Sequence, residues 1–266
     1  MRGAHTCGAL MGLHDLGRDH FDVVAASSAG ALTVSYFVAG QISLFPSVWV
    51  DYLHDGTFIN LKNAFKKGHH VMDMDYLVDS IFGEQVPLDK AAIQKSSTDF
   101  FVTTTDCLTG RPVYLDIKTV DIPLALKATA AMPFVYRTPL YINNRRVVDG
   151  GISDSIPIRK AIDENCDEII LLSTRPKGYR KKPMLFQFWI RLLFREYPHL
   201  CWALKNRYRI YNETVEWIAK LEKQGKVRVI QPEKTLPVSR LSSNQDGLKR
   251  AVEIGFNDVR RVLGKA

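Results

Sequence analysis

Cysteine is scarce in this chain, and the four present (Cys7, Cys107, Cys166 and Cys201) stand far apart with no Cys-x-x-Cys pair. That excludes a disulfide scaffold and a zinc-ribbon site, and it fits reduced thiols in a cytoplasmic compartment. Long apolar runs are missing too. None reaches the roughly 20 residues of a membrane span, and the opening MRGAHTCGALMGLHDLGRDH carries charges where an export signal needs an apolar stretch. With 17 glycines, 12 prolines and 46% apolar residues, the composition excludes a disordered or fibrous chain. There is no internal repeat and no low-complexity tract. The 266 residues suffice for one large α/β domain or two small ones.

Charge is present but uneven. Between Arg175 and Tyr211, ten basic residues stand against one acid, Glu196, and this stretch accounts for the whole net charge of +8. The rest of the chain is near neutral.

Hydrophobic periodicity predicts a helix from Gly3 ending at Gly17, a short buried strand at 21–26 (FDVVAA) and an apolar helix over 29–39. A covering region with helical pieces at 47–52 and 75–82 follows. Strands are expected at 100–106 and 112–116, a helix at 124–131, and a hairpin of 135–142 with 145–149 turning at Asn143-Asn144. Pro157 opens a helix to about residue 164, EIILLS at 168–173 reads as a buried strand, and a helix (208–224), a strand (226–231) and an amphipathic helix (244–263) complete the chain. Alternating strands and helices imply a three-layer α/β/α sandwich with a mostly parallel sheet.

Two places carry chemistry. Strand FDVVAA runs through Ser27-Ser28-Ala29-Gly30 into a helix, the setting of a nucleophile elbow, where a sharp turn lifts a serine above the sheet. The pattern G-x-S-x-G puts the nucleophile on Ser28, with Gly30 two residues after it and Ala26 where glycine is usual; SSAG as a mere helix cap is the plainer alternative. A serine nucleophile needs a base. None of the seven histidines (His5, His14, His20, His54, His69, His70, His199) follows a sheet strand, so each reads as a surface or packing residue. Asp149 does end a strand, and Gly150 and Gly151 after it permit a tight turn at the sheet end where open α/β folds bind ligands.

Together these residues resemble the patatin-like phospholipase family. A-S-S-A-G-A-L at 26–32 matches its serine motif, D-G-G-I-S-D-S-I-P at 149–157 its aspartate motif, and Thr105-Asp106, Thr109–Val113 and Ala128–Pro133 are similar to its intervening segments. The likeness runs over residues 1 to about 174, a catalytic core, with 175–266 as a basic extension packed on the same domain. It implies a serine acyl hydrolase acting on phospholipid or another lipid ester, with Ser28 as nucleophile and Asp149 as general base, and with no cofactor and no metal. The family's oxyanion loop, G-G-G-x-R-G, is matched only at its end, by Met1, Arg2 and Gly3. The resemblance therefore implies a strand and glycines upstream of Met1, and losing a donor of that hole removes ~100-fold to 1,000-fold in rate.

The basic segment continues from Arg180, Lys181 and Lys182 into MLFQFWIRLLFREY, whose bulky apolar face around Trp189, Arg191 and Arg195 suits an anionic membrane interface, placing the protein peripherally at the inner membrane face. A helix packed on the core is the alternative. A nucleic-acid interface is not expected, since the aromatics are clustered rather than interleaved and no such motif occurs. Two other functions stay open at this point: a non-catalytic lipid-binding relative, and an anionic-surface or nucleic-acid binding protein.

Overall fold

In the computed structural model, which describes residues 1–184, 192, 194–241 and 244–264, helices and strands alternate around a mixed sheet. Helix α1 (Gly3–Asp15) leads into strand β1 (Val23–Ser27) and helix α2 (Ala29–Val38). β1 lies parallel to β2 (Asp99–Asp106), with Val23 opposite Asp99 and Ser27 opposite Thr103. β2 is antiparallel to β3 (Pro112–Asp116) and to β5 (Arg145–Asp149), and β5 is antiparallel to β4 (Leu140–Ile142). A second sheet pairs β6 (Ile169–Leu172) in parallel with β7 (Val227–Ile230). The chain is thus α/β with helices over the sheets; two of its antiparallel pairings are the hairpins β2–β3 and β4–β5, and the third, β2–β5, joins those hairpins across the sheet.

One detail of register positions everything that follows. Thr103 pairs with both β1 and β3, and Thr104 with both β3 and β5. A strand has only two edges, so β1 and β5 share one edge of β2 and meet end to end there. β1 arrives at Thr103 through Ser27, and β5 arrives at Thr104 through Asp149. The residues leaving these two strand ends are therefore neighbours despite 121 positions of separation.

Helix α3 (Ile122–Ala130) covers the sheet; its Asp121 cap accepts the Leu124 N–H at 2.8 Å, and Pro123 lies in the first turn, where no amide donor is needed. The strand expected over 135–142 is reduced to its last three residues. Pro139 interrupts it, and before it Pro133 leads into Phe134 with a positive φ of 73° while the Met132 carbonyl closes turns onto the Val135 and Tyr136 amides. Helix α4 (Ile158–Asp163) precedes β6. Helix α5 (Pro198–Lys223) starts ten residues before the expected 208, because Leu200, Ala203 and Leu204 bury against Cys107, Val148 and Ile152 and reward another three turns.

Helix α6 (Gln245–Leu263) lies on α1 at backbone contact distance. A Cβ on Gly8 would stand 1.8 Å from the Val252 carbonyl oxygen, and one on Gly255 would stand 2.0 Å from that of His5. Beside this seam the buried His5 Nε2 bonds Asp258 Oδ2 at 2.9 Å, while Arg261 Nη2 donates to Asp258 Oδ1 at 2.7 Å. Two glycines four residues apart in α1, Gly8 and Gly12, are the sequence trace of this close approach.

Candidate active site

Ser28 sits at the junction of β1 and α2 with φ 55° and ψ −132°, a left-handed backbone that a residue with a Cβ adopts only under constraint. The constraint is visible. The Ser28 N–H donates to Thr129 Oγ1 at 2.8 Å, and that hydroxyl donates to the Thr103 carbonyl at 2.6 Å, tying the turn to α3 and β2. Thr129 is fully buried. We expect Thr129→Val to leave both partners unsatisfied and cost ~2–3 kcal/mol, lowering the thermal midpoint by roughly 5–10 °C, whereas Thr129→Ser keeps the bridge. A wild-type melting curve for T129V would show that the bridge does not hold the turn.

Ser28 Oγ donates to Asp149 Oδ2 at 3.0 Å. The carboxylate is buried and held from several sides: Oδ1 accepts the Gly151 N–H at 2.6 Å, its own N–H donates to the Ala131 carbonyl, and Thr105 Oγ1 donates to its carbonyl at 2.8 Å. Gly150 is required where it stands, since a Cβ there would lie 2.1 Å from the Thr103 carbonyl oxygen. On Gly151 a Cβ would come 2.9 Å from Asp149 Oδ1. Ala26 is buried in β1 and its methyl is accommodated. Gly30 has no turn role: it is inside α2, and a Cβ on it would meet nothing within 4 Å. Gly3 opens α1 tight against Trp49, with 2.3 Å to a built Cβ, and Arg2 precedes it in the lining of both cavities at Ser28.

Those cavities converge on the Ser28–Asp149 pair. The smaller, of 130 Å³, is lined mostly by apolar side chains including Leu32, Trp49, Phe58, Met72 and Met74. The larger, of 320 Å³, extends between β1 and β6 and carries Arg2, Arg175, Lys181 and Arg207 near the serine. Burial pushes the Lys181 ammonium down to about 6, with Arg207 and Arg240 adding to the effect. The Arg207 guanidinium is lowered to about 10 for the same reasons, burial first.

Sequence reasoning assigned Lys181 to a solvent-facing membrane surface, and the structure corrects this. Lys181 Nζ donates to Ser155 Oγ at 2.8 Å and lies over the Tyr211 ring at 4.0 Å, turned into the site because Asn212 clamps its backbone on both sides. Arg180 is exposed and paired with Glu216 at 3.1 Å, and Lys182 and Arg195 are exposed. Trp189 and Arg191 lie outside the described residues. No site role follows from the sequence for Arg207, Tyr211 or Thr129, although Thr129 lies in the family-like segment 128–133; the i, i+4 spacing of Arg207 and Tyr211 on α5 is the available signal for those two.

Residues 1–162 match the family model described as patatin-like phospholipase. The chain belongs to that family. Residues 197–265 match a model described only as a domain of unknown function, so the patatin-like core is followed by a second recognisable module that supplies α5, β7 and α6. The uncharacterized protein YjjU of Escherichia coli (strain K12) is 26% identical over 263 residues, spanning 96% of this chain and 72% of its own length. The uncharacterized NTE family protein Rv1063c of Mycobacterium tuberculosis is 26% identical over 172 residues, 65% of this chain and 46% of its own. Among solved structures, VipD from Legionella pneumophila aligns over 99% of this chain and 65% of its own with a TM-score of 0.50 and 12% identity, a likeness of fold. Membership in a lipid acyl hydrolase family agrees with the patatin-like reading of the two motifs, and no described helix is long and apolar enough to cross a membrane.

Proposed function

We propose that this patatin-like protein is a serine carboxylic-ester hydrolase of lipid esters working through a Ser28–Asp149 dyad. The hydrogen bond from Ser28 Oγ to Asp149 Oδ2, made by a serine in strained backbone at a strand-to-helix turn, carries this reading. Ser28 Oγ attacks the ester carbonyl while Asp149 takes its proton, a role filled by histidine in other serine hydrolases. The tetrahedral oxyanion meets backbone amides at the start of α2, beginning with Ala29 after the nucleophile, and the start of α1 at Arg2 and Gly3. Collapse expels the alcohol, protonated by Asp149. Water then attacks the acyl-serine with Asp149 again as base, releasing the carboxylic acid. Trp49, Phe58 and the methionines of the smaller cavity suit the acyl chain. An alkyl fluorophosphonate should add covalently to Ser28, as read by peptide mass spectrometry, and leave S28A unlabelled; labelling elsewhere, or none, refutes the acyl-enzyme.

A lipid surface as partner has a separate observation in another loop, since most of the apolar stretch after Lys182 lies outside the described residues. Between Phe58 and Met72, which both line the smaller cavity, the chain exposes Phe65 (95%) and Leu61 (60%) beside Lys62, Lys66 and Lys67. Arg137 fixes this loop by donating to the Lys66 and Ala64 carbonyls at 2.8 and 2.6 Å. An exposed aromatic among lysines suits insertion into an anionic interface. Phe65→Ser should weaken binding to anionic vesicles by ~10-fold while sparing hydrolysis of a soluble ester. Equal vesicle binding by F65S and wild type would remove this loop from the interface.

A further inference from the structure

The cations around the nucleophile feel Asp149 but make no ion pair with any carboxylate among the described residues. Arg2, Arg175, Lys181 and Arg207 line the larger cavity, Arg2, Arg207 and Arg240 the smaller, and Asp149 is the one carboxylate lining either among the described residues. None of the five is within ion-pairing distance of a carboxylate among the described residues. Their polar contacts are neutral or aromatic: Arg207 Nε donates to the Gly151 carbonyl at 2.5 Å, Lys181 Nζ to Ser155 Oγ, and Arg175 lies over the Tyr179 ring at 3.9 Å.

Gathering charge of one sign in a partly buried pocket is costly, because each ion loses water and repels the others. The lowered proton affinities of Lys181, Arg207 and Arg2 express that cost, burial leading in each case, and the Lys181 amine, lowered to about 6, takes up its proton fully at neutral pH only when an anion enters. Such an arrangement is stabilised when an anion enters. It is also built rather than accidental: Asn212 fixes the Lys181 backbone by accepting its N–H at 2.9 Å and donating to its carbonyl at 3.1 Å, and Ser155 Oγ and Arg207 share the Gly151 carbonyl next to the Asp149 turn. Except for Arg2, these cations come from residues beyond the patatin-like match, so the C-terminal part furnishes one wall of the site.

We propose that Lys181 and Arg207, with Arg2 and Arg175, form an anion subsite for a phosphomonoester on the alcohol side of the ester, so that the substrate is an acylated glycerol phosphate in preference to a neutral acylglycerol. The proposal rests on the acyl-hydrolase reading. Cations this numerous beside one carboxylate match a phosphomonoester dianion better than the single charge of a phosphodiester. Both cavities open on Ser28, the smaller lined mostly by apolar side chains and the larger adding Arg175 and Lys181, so the acyl chain is assigned to the smaller and the phosphate to the larger.

The test uses the full chain with two soluble substrates of the same short acyl chain, 1-acylglycerol 3-phosphate and 1-monoacylglycerol. Calorimetric titration of S28A with glycerol 3-phosphate and with inorganic phosphate runs beside it. The expected kcat/KM preference for the phosphorylated ester is ~100-fold, shrinking ~10-fold or more in Lys181→Gln and largely kept in Lys181→Arg, with melting curves showing that both variants fold. S28A should bind glycerol 3-phosphate, and the K181Q change should weaken that binding. Equal hydrolysis of the two esters with no phosphate binding overturns the subsite and leaves the hydrolase standing. Hydrolysis of neither, with Lys181-dependent binding of inorganic phosphate, overturns both the hydrolase and the substrate assignment and gives the site to a free phosphate ligand. Hydrolysis of neither with no binding overturns both readings outright.

Discussion

Ser28→Ala should lower kcat/KM on a short-chain p-nitrophenyl ester by ~10⁴-fold or more, and Asp149→Asn by ~10³-fold or more, with the double variant no slower than S28A alone. The non-additivity is the informative part. If Asp149 acts only by taking the proton of Ser28, nothing remains for it to do once the hydroxyl is gone. The amide of D149N can still accept the Gly151 N–H through Oδ1, so the turn is kept, but it presents a donor to Ser28 Oγ where the carboxylate presents an acceptor. Geometry survives and the base is lost. Full activity in either single variant sinks the dyad, and background activity in the wild type would favour a lipid-binding relative without catalysis.

Gly8→Ala gives the second large effect, and its sign separates two accounts. In an exposed helix interior, glycine to alanine stabilises by ~1 kcal/mol through propensity alone. Here the added methyl would lie 1.8 Å from the Val252 carbonyl oxygen and 2.6 Å from its carbon, both backbone atoms that no rotamer change relieves. α1 and α6 must separate, and separation unpacks Ala251 and Val259 and disturbs the buried His5–Asp258 contact. We expect G8A to lose ~3–4 kcal/mol, roughly 6–16 °C in thermal midpoint for a chain of this size. A stabilised G8A would mean that the two helices do not meet at this seam. Because α1 begins beside Ser28, the same variant should also reduce ester hydrolysis.

Much of the site was legible because its chemistry is local in sequence. A buried strand running into Ser-Ser-Ala-Gly, and a strand ending in Asp-Gly-Gly, each announce a turn at a sheet end, and both turns are present where expected. Elements with strong periodicity were also readable, as α6 and β2 illustrate. The strand expected at 135–142 is shortened because Pro139 within it and the Pro133-Phe134 turn before it, with its positive φ, outweigh its β-branched and aromatic content. The start of α5 was missed because its first turns are stabilised by burial against β5 and the Cys107 turn, contacts that lie far away in sequence.

Charge was the least legible property. The sequence alone located ten cations in one stretch and suggested an outward-facing surface, yet Arg180 pairs with Glu216 while Lys181, its neighbour, turns inward to Ser155. Adjacent residues on an extended chain face opposite sides, and which side is interior depends on where α5 docks. By itself the sequence determined the family and the α/β alternation and marked Ser28 and Asp149 as the candidate pair, since each is written in short-range pattern and turn chemistry. Only the tertiary structure decided that Ser28 and Asp149 meet on one edge of β2, that Thr129 holds the turn, and that Arg175, Lys181 and Arg207 line the same cavity as the serine. Those are long-range pairings, fixed by register and helix packing rather than by any local preference.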